Sequence, residues 1–138
     1  QLLKTVQSSL APEHDKVRIL HVEDDLDIAM IINTQLSPEY QVQHAKTLTQ
    51  ARHLLRDEYF DLVILDIGLP DGSGADLLPL LNSPQHQTPV IIFTAQDINE
   101  ELAAQVEGAV VKTKTANETL MQHIKSVINK ETIHRVDK

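Results

Sequence analysis

This 138-residue chain has no cysteine and no tryptophan, and its aromatic residues amount to only 3%. The missing thiols exclude disulfides, thiolate zinc sites and cysteine nucleophiles, and they suit a reducing cytoplasm, the compartment we expect. With so few rings, a core must be built from Leu, Ile, Val and Ala. No apolar run approaches the roughly 20 residues a membrane span requires, and no secretory h-region is visible. Positive charge is scarce as well: 12 Lys and Arg stand against 20 Asp and Glu, a net charge of −8. That balance argues against nucleic-acid binding by this segment, which would need a clustered basic surface. It suits solubility and a divalent cation. The seven histidines (His14, His21, His44, His53, His86, His123 and His134) include no i, i+4 pair on a predicted helix, which argues against a histidine metal site.

What is present is alternation. Apolar runs at Val17–Val22, Tyr40–Ala45, Leu62–Leu65, Val90–Phe93 and Ala109–Val111 read as strands. The second alternates and belongs nearer a sheet edge, whereas the third and fourth are continuous, as strands covered on both faces are. Helices fill the gaps. Leu26–Leu36 places Ile28, Ile31, Ile32 and Leu36 on one face and stops at Ser37-Pro38. Thr47-x-x-Gln50 opens the next as a capping box, with Leu48, Ala51, Leu54 and Leu55 inward. A third, from about Ala75 to Asn82, contains Pro79 and must start late or kink. Asp97-x-x-Glu100 is read as the start of the fourth and Thr115-x-x-Glu118 as that of the fifth, whose stripe is Leu120, Ile124, Val127 and Ile128. Strict strand–helix alternation implies an α/β fold: parallel strands joined by right-handed crossovers, a doubly wound five-stranded sheet in the order 2-1-3-4-5.

Residues 17–130 carry this plan. The preceding Gln1–Leu10 reads as a short helix with Leu2, Leu3, Val6 and Leu10 on one side. Like the end of an earlier domain, it leads through a polar linker into the first strand, so that 1–16 stands apart. Residues 131–138 read as an exit linker. The chain begins at Gln1 rather than Met, as a piece of a longer protein would.

In such a sheet the crevice lies at the carboxyl ends of the strands. Glu23 and Asp24 follow the first strand, Asp66 the third, Thr94 the fourth and Lys112 the fifth. Singly, each has an ordinary reading: helix-capping acids, a turn former, a β-branched strand residue, a solvated strand-end charge. Together they converge on one rim. Clustered carboxylates repel unless a cation sits among them, and oxygen-only ligands suit Mg²⁺, with Mn²⁺ also accommodated. A carboxylate beside such an ion can attack phosphorus to give an acyl phosphate, while a lysine and a hydroxyl offset charge on the phosphoryl oxygens. An aspartate-nucleophile phosphatase would need a second acid two residues after Asp66, and that position is Gly68.

The segments RILHVEDD, FDLVILDIGLPDGSG, TPVIIFTA and VVK, in this order and spacing, resemble the receiver domains of two-component response regulators. The resemblance runs from about Val17 to Lys130. It implies a flavodoxin-like (βα)5 fold, with Glu23 and Asp24 as the metal-binding pair and Asp66 as phospho-acceptor. Gly68 falls where a backbone carbonyl also meets the metal, Thr94 is the hydroxyl that responds to phosphorylation, and Lys112 is the phosphate-binding lysine. Asp25 matches a variable position and takes no ligand role. The partner implied is a histidine kinase or a histidine-phosphotransfer domain. The domain would catalyse its own phosphorylation and dephosphorylation without being a turnover enzyme.

Three departures stand out. Thr113 replaces the proline that usually follows the lysine, and Ala109 occupies the usual aromatic position three residues before it. The 18-residue step from Thr94 to Lys112 is shorter than usual by roughly one helical turn. All three fall on the face where receivers commonly dimerise or engage outputs. They favour a relay receiver inside a sensor kinase or tandem-receiver protein, flanked by other domains of the same chain. The alternative is a receiver-like interaction domain that is never phosphorylated.

Overall fold

The computed structural model describes residues 16–84 and 87–136; the N-terminal helix expected over Gln1–Leu10 and most of its linker lie outside them. Five strands, β1 (Arg18–Val22), β2 (Gln41–Ala45), β3 (Leu62–Leu65), β4 (Val90–Thr94) and β5 (Gly108–Val111), form one sheet in the order β2-β1-β3-β4-β5. Every pairing in it is parallel. This is the expected doubly wound order. β2 is an edge strand with alternating exposure, while β3 and β4 are buried at every residue. Two covered faces are what their unbroken runs of Leu, Val and Ile require.

The helices are α1 (Leu26–Leu36), α2 (Leu48–Asp57), α3 (Leu78–Leu81), α4 (Glu100–Ala103) and α5 (Ala116–Val136). On one face of the sheet, Leu48, Ala51 and Leu55 of α2 close over Leu20, Val22, Val63 and Leu65. On the other, Ile32 and Leu36 of α1 and Leu120, Ile124, Val127 and Ile128 of α5 cover Ile19, Ile64 and Ile91. Each such aliphatic side chain removed from water contributes about 1.5–3 kcal/mol, so the shortage of rings is met by number. Ile31, expected on the apolar face of α1, is instead 48% exposed. Its neighbour Ile32 points inward: the buried stripe of this helix runs through Ala29, Ile32 and Leu36, and Ile31 lies about 100° around the helix from Ile32.

Pro79 has the effect expected of it. A 3-10 turn over Gly74–Leu77 precedes α3, and the proline sits in the first turn of the α-helix, where no N–H is needed. α4 starts two residues later than the Asp97-x-x-Glu100 signature implies. Asn99 is its N-cap, accepting from Leu102 N at 2.7 Å, and the helix is only four residues long. α5 is helical through Val136, so residues 131–136 of the segment read as an exit linker continue the helix. A two-stranded hairpin, Gly68–Leu69 against Gly72–Ser73, follows β3, with no counterpart in the strand–helix alternation of the sequence. Its return needs Gly72 at φ +145°, a conformation that L side chains rarely adopt. No helix among the described residues is long and apolar enough to cross a membrane.

Candidate functional site

Backbone pairing carries the chemistry-bearing residues to one rim. Glu23 N donates to Ala45 O at 2.9 Å and Asp66 N to Val22 O at 3.0 Å, each extending a strand pairing by one step. Lys112 N donates to Thr94 O at 2.8 Å, which pins the lysine just beyond β5. Parallel register therefore places Glu23, Asp66, Thr94 and Lys112 side by side, although 89 residues separate the first and last. Gly74 holds the floor under Asp66: a Cβ there would lie 2.0 Å from the Asp66 carbonyl oxygen. Only glycine permits that approach.

Carboxylate oxygens of Glu23, Asp24 and Asp66 all lie within 4.8 Å of one another. Glu23 is 1% and Asp66 6% exposed, while Asp24 faces solvent. Lys112 Nζ reaches 2.7 Å from Glu23 Oε1 and 3.2 Å from Asp66 Oδ2, and rests 5.5 Å from the centroid of the Phe93 ring. Gly68 N donates to Asp66 Oδ1 at 3.2 Å. The site residues read from the sequence are thus all brought together. Three near-converging carboxylates, with oxygen as their only donor atom, fit Mg²⁺ by donor chemistry and spacing.

The two buried acids are tuned in opposite directions. Burial outweighs the Lys112 hydrogen bond at Glu23 and pushes its carboxyl up to about 7. At Asp66, burial acts upward too. A hydrogen bond from Thr94, the charge of Lys112 and the Gly68 N–H prevail, holding the carboxyl below the usual aspartate range. Lys112 is desolvated, yet its hydrogen bond and charge pairing with Glu23, joined by Asp66, raise it above the ordinary lysine value. The site therefore keeps an ionised, cation-flanked Asp66 beside an acid that takes up a proton near neutrality. Asp25 accepts from Asp27 N at 2.9 Å and Ile28 N at 3.3 Å as the N-cap of α1. That is the bland role open to it, and it leaves the residue outside the oxygen cluster.

Several participants were not read from the sequence. The Lys112–Glu23 contact is shorter than the one to Asp66. His44 Nε2 lies 2.6 Å from the Glu23 carbonyl oxygen, bracing the β1–α1 loop from β2. The Gln96 amide packs over Gly68, its nitrogen 2.7 Å from where a Cβ would sit. Asp71, in the hairpin turn, accepts from Leu48 N at 2.8 Å and Thr49 N at 3.1 Å at the start of α2. Each pairing depends on which strand or loop lies next to which, and spacing along the chain carries no signal of it.

Residues 19–135 match the family described as response regulator receiver domain. Response regulator protein PilR of Pseudomonas aeruginosa is 38% identical over 79 residues, 56% of this chain and 18% of the relative. Transcriptional regulatory protein BasR of Escherichia coli is 33% identical over 95 residues, 67% of this chain and 43% of the relative. The chain thus spans less than half the length of these curated relatives. Among solved structures, response regulator TrrA of Thermotoga maritima, in complex with Mg²⁺–BeF, superposes with a TM-score of 0.72 at 26% identity, covering 80% of this chain and 98% of that one. The receiver domain of a LuxO repressor protein from Vibrio parahaemolyticus gives 0.70 at 28% identity, covering 86% and 97%.

Proposed function

Because the chain belongs to the response regulator receiver domain family, we propose that it accepts a phosphoryl group on Asp66 from a phosphohistidine of a histidine kinase or phosphotransfer domain. The observation that carries this reading is the Asp66 carboxylate itself: buried, held ionised and flanked by Lys112 at 3.2 Å. An ionised carboxylate can attack phosphorus as the P–N bond to the donor imidazole breaks. The bonding pair returns to the ring nitrogen, and a P–O bond to Asp66 forms.

Glu23, Asp24, Asp66 and the backbone carbonyl of Gly68 would hold Mg²⁺, with Mn²⁺ as a substitute. When bound, the ion offsets the negative charge of the phosphoryl oxygens. Lys112 supplies a second positive charge at the same oxygens, and the Thr94 hydroxyl donates a hydrogen bond once the phosphoryl group replaces its partner. Glu23 near the midpoint of its titration makes cation binding compete with a proton. Residues 17–130 are the receiver proper in this reading, operating in the cytoplasm with neighbouring domains of the parent chain and forming at most a weak homodimer. A domain that only docks would have no need of a low-lying carboxylate beside a buried lysine, so the unphosphorylated alternative is not favoured.

The test is intact mass after incubation with acetyl phosphate and Mg²⁺. One phosphoryl adduct per chain is expected on the wild type, and none on Asp66→Asn or after chelation of the metal. No adduct on the wild type, or an equal adduct on Asp66→Asn, would overturn the assignment.

A further inference from the structure

The β1–β2 register sets His21 directly beside His44, on the sheet face that α1 covers. Their ring centroids are 6.2 Å apart, with the planes tilted by 51°. His21 is 1% exposed, and neither of its ring nitrogens has a hydrogen-bond partner. Buried polar atoms are nearly always satisfied, and one that is not calls for a water, an ion or a function. His44 has one nitrogen committed. A carbonyl oxygen can only accept, so the 2.6 Å contact to Glu23 O fixes the hydrogen on Nε2 and leaves the Nδ1 lone pair available. An imidazole whose far nitrogen donates to a backbone carbonyl is the arrangement by which proteins orient metal-ligating histidines. Both rings border an open cleft of about 330 Å³ lined also by Leu26, Ala29, Met30 and Asn33 of α1 and by Val42; alanine leaves the room, and Met30 and Asn33 at the exposed edge carry donor atoms.

We propose that His21 and His44 form a second metal site, for a late first-row divalent ion such as Zn²⁺, separate from the carboxylate cluster. With metal–nitrogen bonds of about 2.0–2.1 Å, two imidazoles at a tetrahedral angle have ring centres roughly 5.2 Å apart, so binding would draw these rings about 1 Å closer than the 6.2 Å seen here. Donor chemistry separates the two sites. Neutral imidazoles take Zn²⁺, Cu²⁺ or Ni²⁺, whereas the all-oxygen cluster takes Mg²⁺. With no cysteine in the chain, no thiolate competes for the softer ion. Both ligands sit on neighbouring strands, which fixes their backbone positions side by side. The site evades the i, i+4 helical pattern because its two ligands come from neighbouring strands.

The experiment is a ZnCl₂ titration of the ¹⁵N-labelled protein in excess Mg²⁺, following histidine ring nitrogens. The ring signals of His21 and His44 are expected to shift together and saturate at one equivalent. Zn²⁺ affinity should fall at least tenfold in His21→Phe and in His44→Phe, and stay within twofold in Asp24→Asn. Shifts confined to His53 or His123, loss of binding in Asp24→Asn, or no saturable binding in Mg²⁺ would each overturn the proposal. The wild-type spectra decide the matter even if a histidine variant fails to fold.

Discussion

The Lys112 ammonium lies nearer to Glu23 (2.7 Å) than to Asp66 (3.2 Å), so the lysine steadies one acid while serving another. Lys112→Met keeps the apolar stem against Phe93 and removes the charge. Glu23 is then left buried without its cation, at a cost of about 1–3 kcal/mol at pH 8. The loss should shrink at pH 5.5, where Glu23 takes a proton instead. Urea unfolding of both proteins at the two pH values checks this; an equal loss at both would point to packing rather than charge.

Glu23 makes the metal-free domain less stable as pH rises. Its carboxyl titrates at about 7 in the fold against 4.5 in the open chain, so the folded state binds the proton more tightly. The resulting stabilisation is full below 4.5 and is lost as pH climbs through 7. Asp66, shifted downward, acts in the opposite sense, its contribution being lost only in stronger acid. Glu23→Gln does not titrate. Its stability relative to wild type should rise by on the order of 2 kcal/mol between pH 5 and pH 8.5, read from chelator-treated protein in denaturant melts.

Thr94 is fully buried, and its side chain is the first of the groups drawing Asp66 downward. Thr94→Val preserves shape and deletes the hydroxyl. The Asp66 carboxyl should move up toward its ordinary value, seen by ¹³C titration, and acetyl-phosphate labelling should slow without vanishing. An unmoved Asp66 would show that the hydroxyl is not its partner.

Two glycines flank Asp66 with different tolerances. At Gly74 a methyl group would meet the Asp66 carbonyl oxygen at 2.0 Å, backbone that cannot yield. At Gly68 it would meet only the end of the Gln96 side chain, at 2.7 Å. Gly74→Ala should cost about 3 kcal/mol, at the upper end of overpacking effects, and Gly68→Ala about 1 kcal/mol or less. Thermal melts of the pair rank them directly.

Asp25 belongs to the helix and not to the oxygen cluster. Asp25→Ala removes the cap of α1 and should cost about 1 kcal/mol, while Mg²⁺ affinity stays within twofold of wild type. Asp25→Ser should restore the stability.

The strands and their order were legible because each apolar run is short, uninterrupted by polar residues in β3 and β4, and, in all but β2, punctuated by a residue with chemistry. α1 and α5 were legible from their caps and stripes. α4 was misplaced because Asp97 and Asn99 offer competing caps in adjacent frames, and a helix of four residues leaves no periodicity to choose between them. The hairpin went unseen because two-residue strands carry no pattern. The cluster around Asp66 could be assembled from strand ends alone, but its internal geometry could not. The proximity of Lys112 to Glu23 depends on depth, and the meeting of His21 with His44 on register, and neither is written in any local stretch of sequence.

The hydrogen bonds from Leu48 N and Thr49 N to Asp71 have one more implication. First-turn amides of a helix ordinarily have no protein acceptor and exchange with water freely. Here two of them are guarded by the turn of the hairpin that begins two residues after Asp66. Their hydrogen–deuterium exchange is therefore a clock for that hairpin: it runs slowly while the turn stays seated on α2 and quickens whenever the turn lifts away. Two backbone amides on α2 thus time the opening of a loop in which neither takes part.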